Sequence, residues 1–362
     1  MKVLVAGGGT GGHLMPALAI ADALRGARRD LEVVLVGARR GIEADLLPRY
    51  SYRYYLLELE PLYRGAWWRN LRWVYRVGDV LRAVNRVVDI ERPAVVVGTG
   101  GYVAGPLLWC AQRRRVPTVL QEANAFPGIT TRWLARRARQ VHLGFPEAAS
   151  RIHAGRDTEV FAFGNPIRTQ AGSADAAAAR QAFGLDPARS CVFVVGGSQG
   201  ARVLNGALAR ALEQGLLSDW SVLWGAGRAH APALMRLAVA GRVVVRDFFD
   251  PIAEAYGASD LVVSRAGAMT VAELCALGKP SVLVPFARAA ADHQTSNARA
   301  LAEAGAAMLL REMDLSPESL AHAITSLLAD QSRLASLASH ARARGHPDAA
   351  RDIASKILTL IP

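Results

Sequence analysis

An unbroken apolar run that ends in a cluster of glycines occurs twice in this chain. Val3-Leu4-Val5-Ala6 leads into Gly7-Gly8-Gly9-Thr10-Gly11-Gly12-His13, and Cys191–Val195 leads into Gly196-Gly197-Ser198-Gln199-Gly200-Ala201. A helix-period segment follows each, at 14–24 and 202–214. A strand without polar alternation is covered on both faces, as in a parallel sheet whose crossovers are helices. Further apolar runs lie near 31–36, 52–57, 94–97, 117–120, 140–143 and 159–162, and then near 221–224, 243–246, 261–263, 281–284 and 307–310. Helical patterns fill the gaps, so the chain is a βαβ series that restarts once. The expected class is α/β, with two Rossmann-like, doubly wound parallel-sheet domains facing each other across a cleft.

Gly164-Asn165-Pro166-Ile167-Arg168 interrupts the pattern and reads as the hinge. The expected domains are 1–163 and 164–345. Residues 346–362 form a C-terminal helix that packs back on the first domain.

The densest chemistry lies at 264–297. A strand ends at Ser264-Arg265-Ala266-Gly267-Ala268-Met269-Thr270, where a helix opens. The first amides of a helix have no partner within it and favour an anion, commonly a phosphate. Glu273 follows within about two turns, in reach of a vicinal diol such as a ribose. Gln294 arises from the next strand-to-helix turn and opens on the same sheet edge, where ligands of open α/β sheets bind. Phosphate, diol and amide handle together point to a nucleotide-sugar. A purely structural alternative is that Thr270-x-x-Glu273 is a capping box.

Gly7, Gly9 and Gly12 match the dinucleotide pattern G-x-G-x-x-G. That reading needs an acid at the end of the second strand, which here ends Val36-Gly37-Ala38-Arg39-Arg40. NAD is therefore disfavoured. Arg39 and Arg40 suit the 2′-phosphate of NADP, so an NADP oxidoreductase stays open. It leaves the second glycine loop and Glu273 without a purpose. His13 sits at a helix start, where the dipole disfavours imidazolium and a neutral imidazole is available as a general base. The alternative is a hydrogen bond to phosphate. Gly98-Thr99-Gly100-Gly101-Tyr102 is a further strand-end glycine turn on that edge, and Glu122 and Asn124 end the next strand. Glu122 is either a second candidate base or half of a structural ion pair. No Walker-type loop, Asp-x-Asp pair or His/Cys cluster with metal spacing occurs, so neither metal nor cofactor is indicated.

The formal net charge of +12 calls for an anionic partner. Trp67-Trp68-Arg69-Asn70-Leu71-Arg72-Trp73-Val74-Tyr75-Arg76 narrows the choice. Tryptophan with arginine suits an anionic membrane surface, with Trp67, Trp68, Leu71 and Trp73 at headgroup depth and Arg72 and Arg76 on lipid phosphates. A core-packed helix with solvated arginines is the plain alternative. No nucleic-acid module pattern is present, so no nucleic acid is expected. The uncharged stretch 94–111 is broken by glycines and Pro106 and reads as strand, turn and helix. Three sparse cysteines, Cys110, Cys191 and Cys275, fit a reducing compartment.

Taken together, the glycine loops, Asn124, Gly164–Arg168, Ser264-Arg265-x-Gly267-Ala268-x-Thr270-x-x-Glu273 and Asp292-His293-Gln294 resemble glycosyltransferase family 28 over essentially the whole chain. These are the GT-B transferases that add N-acetylglucosamine to lipid I in peptidoglycan synthesis. The resemblance implies UDP-N-acetylglucosamine as donor, held by the C-terminal domain. Its implied donor contacts are Thr10, Gly11, Gly12, Arg168, Ser198, Phe249, Met269, Thr270, Glu273 and Gln294. It implies undecaprenyl-pyrophosphoryl-muramyl-pentapeptide (lipid I) as acceptor, facing His13, Gly100, Gly101, Tyr102 and Asn124. It also implies a peripheral enzyme on the cytoplasmic face of the inner membrane. The muramyl 4-hydroxyl attacks the anomeric carbon with inversion, UDP leaves, and His13 or Glu122 takes the proton. Family members commonly carry His and Gln where this chain has Gln121 and Ala123, and some carry Gln in place of Thr295.

Overall fold

The computed structural model describes residues 1–59, 71–168, 175–197, 200–287, 289 and 292–362. The chain divides into two compact units, Met1–Arg168 with His346–Pro362, and Thr169–Gly345. In the first, β1 (Lys2–Ala6), α1 (Gly11–Ala27), β2 (Glu32–Ala38), α2 (Glu43–Leu46) and β3 (Arg53–Leu57) make the first winding. The second is α3 (Leu71–Glu91), β4 (Val95–Gly98), α4 (Gly101–Arg113), β5 (Thr118–Glu122), α5 (Ile129–Leu134), β6 (Gln140–Leu143) and β7 (Glu159–Phe161). The seven strands are parallel in the order β3-β2-β1-β4-β5-β6-β7.

Period-two alternation splits the core of this unit in two. Val3 and Val5 point to one face of the sheet, with Leu14 and Leu18 of α1. Leu4 and Ala6 point to the other, with Val84 of α3 and Leu107 of α4. Each such fully buried Leu or Val contributes about 1.5–3 kcal/mol, so both faces need helices. The last helix of the chain, residues 349–358, returns to the first face with Ile353, Ala354 and Ile357.

The second unit repeats the plan with α6 (Ala176–Ala182), β8 (Cys191–Val195), α7 (Arg202–Glu213), β9 (Ser221–Gly225), α8 (Ala231–Leu234), β10 (Val243–Arg246) and α9 (Ile252–Ala258). It continues through β11 (Leu261–Ser264), α10 (Ala268–Leu277), β12 (Ser281–Leu283), α11 (His293–Glu303), β13 (Met308–Leu309), α12 (Pro317–Leu328) and α13 (Gln331–Ala343), before α14 (Ala349–Leu358) rejoins the first unit. Its parallel order is β10-β9-β8-β11-β12-β13. Each sheet therefore reverses its winding beside its first strand, between β1 and β4 and between β8 and β11. Ligands of such sheets bind at the carboxyl ends of strands flanking this switch.

The units divide after Arg168, a few residues beyond the boundary that the sequence suggests. Asn165 explains why. It is buried, its Nδ2 donates to the Ala123 carbonyl at 2.9 Å, and its Oδ1 accepts from Gln121 Nε2 at 2.9 Å. Those bonds tie the Gly-Asn-Pro segment to the end of β5. Among the described residues no helix is long and apolar enough to cross a membrane, and the uncharged stretch 94–111 forms β4 and α4. The three cysteines are buried, and burial raises their thiol pKa values, Cys191 to about 12 and Cys275 to about 11.

Candidate active site

In the first unit the switch point brings together the turns after β1 and β4. His13 lies in the first turn of α1, and its Nδ1 is 3.2 Å from the Thr99 carbonyl. A carbonyl only accepts, so Nδ1 carries the proton and Nε2 is the basic nitrogen. The Thr99 hydroxyl donates to the His13 carbonyl at 2.7 Å. Thr99 thus fixes both the ring and the backbone of His13, and it is itself buried. The approach is close enough to require glycine opposite. Gly100 has φ +106°, and a Cβ there would lie 2.5 Å from His13 Nδ1. The two loops also pack back to back, since a Cβ on Gly101 would fall 2.1 Å from the Gly8 carbonyl oxygen. Tyr102 covers Gly9 on the same side.

Neither α1, with Thr10 as N-cap, nor α4, with Gly100 as N-cap, has a side-chain oxygen bonded to its first amides, and α7 and α10 are alike in this. By contrast α6, α12 and α13 are capped by Asp175, Ser316 and Asp330. Helices α2, α5, α8, α9, α11 and α14 lack a side-chain cap too. What sets the starts of α1, α4, α7 and α10 apart is their place at the two switch points, where the amide end of a helix faces the ligand edge.

Glu122 is held by hydrogen bonds within its own loop. It is buried and accepts from the Asn124 amide at 3.1 Å, the Gly128 amide at 2.9 Å and the Thr131 hydroxyl at 2.6 Å. Its carboxylate is spent on closing the 123–131 loop, in which Asn124 is set. Among the described residues Glu122 forms no ion pair with an arginine.

In the second unit the N-cap of α10 is Gly267, so Thr270 stands inside the helix and the capping-box alternative fails. Met269, Thr270 and Glu273 are half-buried along its first two turns. Burial pushes the Glu273 carboxyl up to about 6, opposed by the Tyr256 hydroxyl, which donates to Oε2 at 3.2 Å. Tyr256 is buried edge-on against Phe193, and Phe193 against Phe249. Phe249 is only 2% exposed, so what it can offer a base is its backbone, not its ring. Gln294 accepts from the Phe286 amide at 2.9 Å through Oε1, which leaves its Nε2 side as a donor handle. Arg265 holds the same loop from beneath, donating to the Val284 and Pro285 carbonyls at 3.1 and 3.2 Å and pairing with Glu312.

Arg168 lies with the first unit, paired to Asp22 and donating to the Tyr50 hydroxyl at 3.2 Å. Ser198 lies outside the described residues, as do Trp67 and Trp68. Leu71, Arg72, Trp73 and Arg76 fall in the opening turns of α3. Among the described residues no group of His, Cys, Asp and Glu has the geometry of a metal site. The NADP reading finds no support. Arg39 pairs with Glu58 at 3.4 Å, and the Gly9 amide that would meet a phosphate is taken by a buried carboxylate, Glu43.

The profile of the glycosyltransferase family 28 N-terminal domain matches residues 3–143, and that of the family 28 C-terminal domain matches residues 191–353. The chain belongs to glycosyltransferase family 28. It is 40% identical over 370 residues to a protein of Moorella thermoacetica, covering 100% of this chain and 99% of that one. It is 42% identical over 360 residues to one of Salinibacter ruber, covering 99% and 96%. Both are named UDP-N-acetylglucosamine–N-acetylmuramyl-(pentapeptide) pyrophosphoryl-undecaprenol N-acetylglucosamine transferase. Among solved structures, Acinetobacter baumannii MurG aligns with a TM-score of 0.78 at 29% identity, over 99% of each chain. The fold of this family 28 chain is GT-B.

Sequence reasoning missed four residues in and around this family 28 site. Thr99 is hidden inside a glycine turn, and its role depends on the loop opposite. Tyr256 stands seventeen positions before its partner Glu273, on the preceding helix. Ile129 and Trp133 project from α5, 56% and 80% exposed. Their signal was available, as apolar residues in a stretch dense in arginine.

Proposed function

We propose that this protein transfers N-acetylglucosamine from UDP-N-acetylglucosamine to the 4-hydroxyl of the N-acetylmuramyl group of lipid I, with inversion, giving lipid II. The observation that carries the reading is the pairing of an uncapped α10 start with half-buried Glu273, in a chain that matches transferases of that name over its full length. The second unit takes the donor. The α10 amides meet the diphosphate, Glu273 the ribose diol, the Phe249 backbone the base, and Gln294 the sugar. Ser198 completes the diphosphate contacts. The first unit takes the acceptor, with His13 as base and Asn124, Gly100, Gly101 and Tyr102 around the muramyl pyrophosphate. Amides preset toward the leaving diphosphate stabilise the charge that grows on it.

The deciding experiment measures UDP release from UDP-N-acetylglucosamine with and without a soluble lipid I analogue. Acceptor-dependent release is expected. Thermal stabilisation by the donor without release would overturn the acceptor assignment and keep the nucleotide site. Neither release nor stabilisation would overturn the transferase reading.

The protein works as a peripheral enzyme at the cytoplasmic face of the cell membrane. In support, the first unit holds 27 Lys and Arg against 16 Asp and Glu, a net +11 of the chain's +12. On it, α4 and α5 pack through Gly105 and Thr130. They present Trp109, Ile129 and Trp133 beside Arg113, Arg132, Arg136 and Arg137. Trp67, Trp68, Leu71, Arg72, Trp73 and Arg76 remain a second proposed contact. Each arginine near an anionic surface is worth about 1 kcal/mol. Arg136→Glu with Arg137→Glu is therefore expected to weaken binding to phosphatidylglycerol vesicles by about tenfold or more, with release of the wild type at high salt. Unchanged binding would remove this face from the membrane contact.

A further inference from the structure

Glu43 is a fully buried carboxylate that the transfer chemistry leaves unused. It follows β2 by five residues, and its Oε1 accepts from the Ala38 amide at 2.7 Å. Both its oxygens also accept from the Gly9 amide, at 3.0 and 2.9 Å. Three glycines make room for it. A Cβ on Gly8 would fall 2.1 Å from Oε1, one on Gly41 2.2 Å from Oε2, and one on Gly37 2.5 Å from Cγ. Amides of a G-x-G-x-x-G loop form a cradle for a phosphate. Here the cradle closes on the protein's own anion, and bonds to a charged acceptor are about twice as strong as neutral ones. Gly9 is followed directly by Thr10, the N-cap of α1, and His13 lies in the first turn of that helix.

We propose that Glu43 is a positioning residue for the transfer: as an internal anion it fills the amide cradle of the first glycine loop and holds the turn that carries His13. This rests on the reading of His13 as the base. Glu43→Ala leaves an anion-sized space lined by the Gly9 and Ala38 amides, whereas Glu43→Gln fills it with an amide that sets a donor against a donor. Misplacement of a reacting group by about 1 Å costs about 10²-fold. Both variants are accordingly expected to lose about 10- to 100-fold in kcat, with the donor KM within about twofold of wild type. Formate is expected to restore kcat to Glu43→Ala in a saturable manner and to leave Glu43→Gln unchanged. In a His13→Ala background, Glu43→Ala is expected to cost less than about twofold more, since the residues then act through one another. Wild-type kcat in either folded variant, a loss that simply adds to that of His13→Ala, or no recovery with formate would overturn the proposal. Formate-dependent thermal stabilisation of Glu43→Ala, read without substrates, tests the internal anion separately from the transferase reading. The nearly isosteric Glu43→Gln keeps the kinetic test open should Glu43→Ala fail to fold.

Discussion

His13→Ala is expected to lower kcat by about 10²–10⁴, the range for removal of a positioned acid–base group. The geometry confines the role to one atom. Thr99 takes the Nδ1 proton with its carbonyl, so Nε2 is the nitrogen able to accept a proton from an attacking hydroxyl. The donor contacts proposed on α10 and in the loop after β12 lie in the other unit and stay as they were. The donor KM should therefore remain within about twofold, the pattern of an interaction made only in the transition state. The chief rival, Glu122, is closed off by its donors at Asn124, Gly128 and Thr131. Steady-state kinetics at saturating acceptor decide the case, and activity within about threefold of wild type would take His13 out of the role.

Glu273→Ala is expected to raise the donor KM by about 10²-fold and to change kcat little. Hydrogen bonds to a charged group are worth about 1.5–3 kcal/mol each, and a ribose diol makes two. The same group sets a pH dependence. Its carboxyl is raised to about 6 by burial, and only the ionised form accepts from both hydroxyls. Donor kcat/KM should thus be full above pH 7 and fall as pH drops through about 6. By about pH 5 roughly one molecule in ten is ionised, a loss of about tenfold. Tyr256 opposes the shift, since its hydroxyl hydrogen-bonds the charged form. Tyr256→Phe should move the midpoint upward, without effect at pH 8. A flat donor kcat/KM between pH 5 and 8, or an unchanged donor KM in Glu273→Ala, would remove the carboxylate from ribose binding.

Two features made much of this readable in advance. Val3–Ala6 and Cys191–Val195 are apolar without alternation, which only a strand covered on both faces tolerates, so two parallel sheets followed. Parallel strands put all their carboxyl ends on one edge, so His13, Thr270, Glu273 and Gln294 could be placed at a ligand edge before any contact was known. What the sequence left open concerned side chains whose partners are settled only on folding. Glu122 looked like a base because its strand ends at the site, but Gly128 and Thr131 fold back onto it. The structural alternative of Thr270 as a cap falls because the N-cap stands three residues earlier, at Gly267. The acid required by the first glycine motif was sought at Arg39 and Arg40. It stands at Glu43, where it binds the loop itself and not a ribose.

The sequence by itself determined the class of fold, the repeat of a strand–glycine–helix opening and the residue types along the ligand edge. Those follow from period, glycine placement and chain direction, all local properties. Tertiary structure alone decided which polar groups are spent and which are left for chemistry. Thr99 sets the tautomer of His13, Tyr256 holds Glu273, and Glu43 occupies the cradle at Gly9, each across a gap that the chain closes only on folding. A carboxylate or imidazole is defined by the hydrogen-bond partners within about 3 Å of it, and for His13, Glu43 and Glu273 the partners Thr99, Gly9 and Tyr256 stand 86, 34 and 17 positions away.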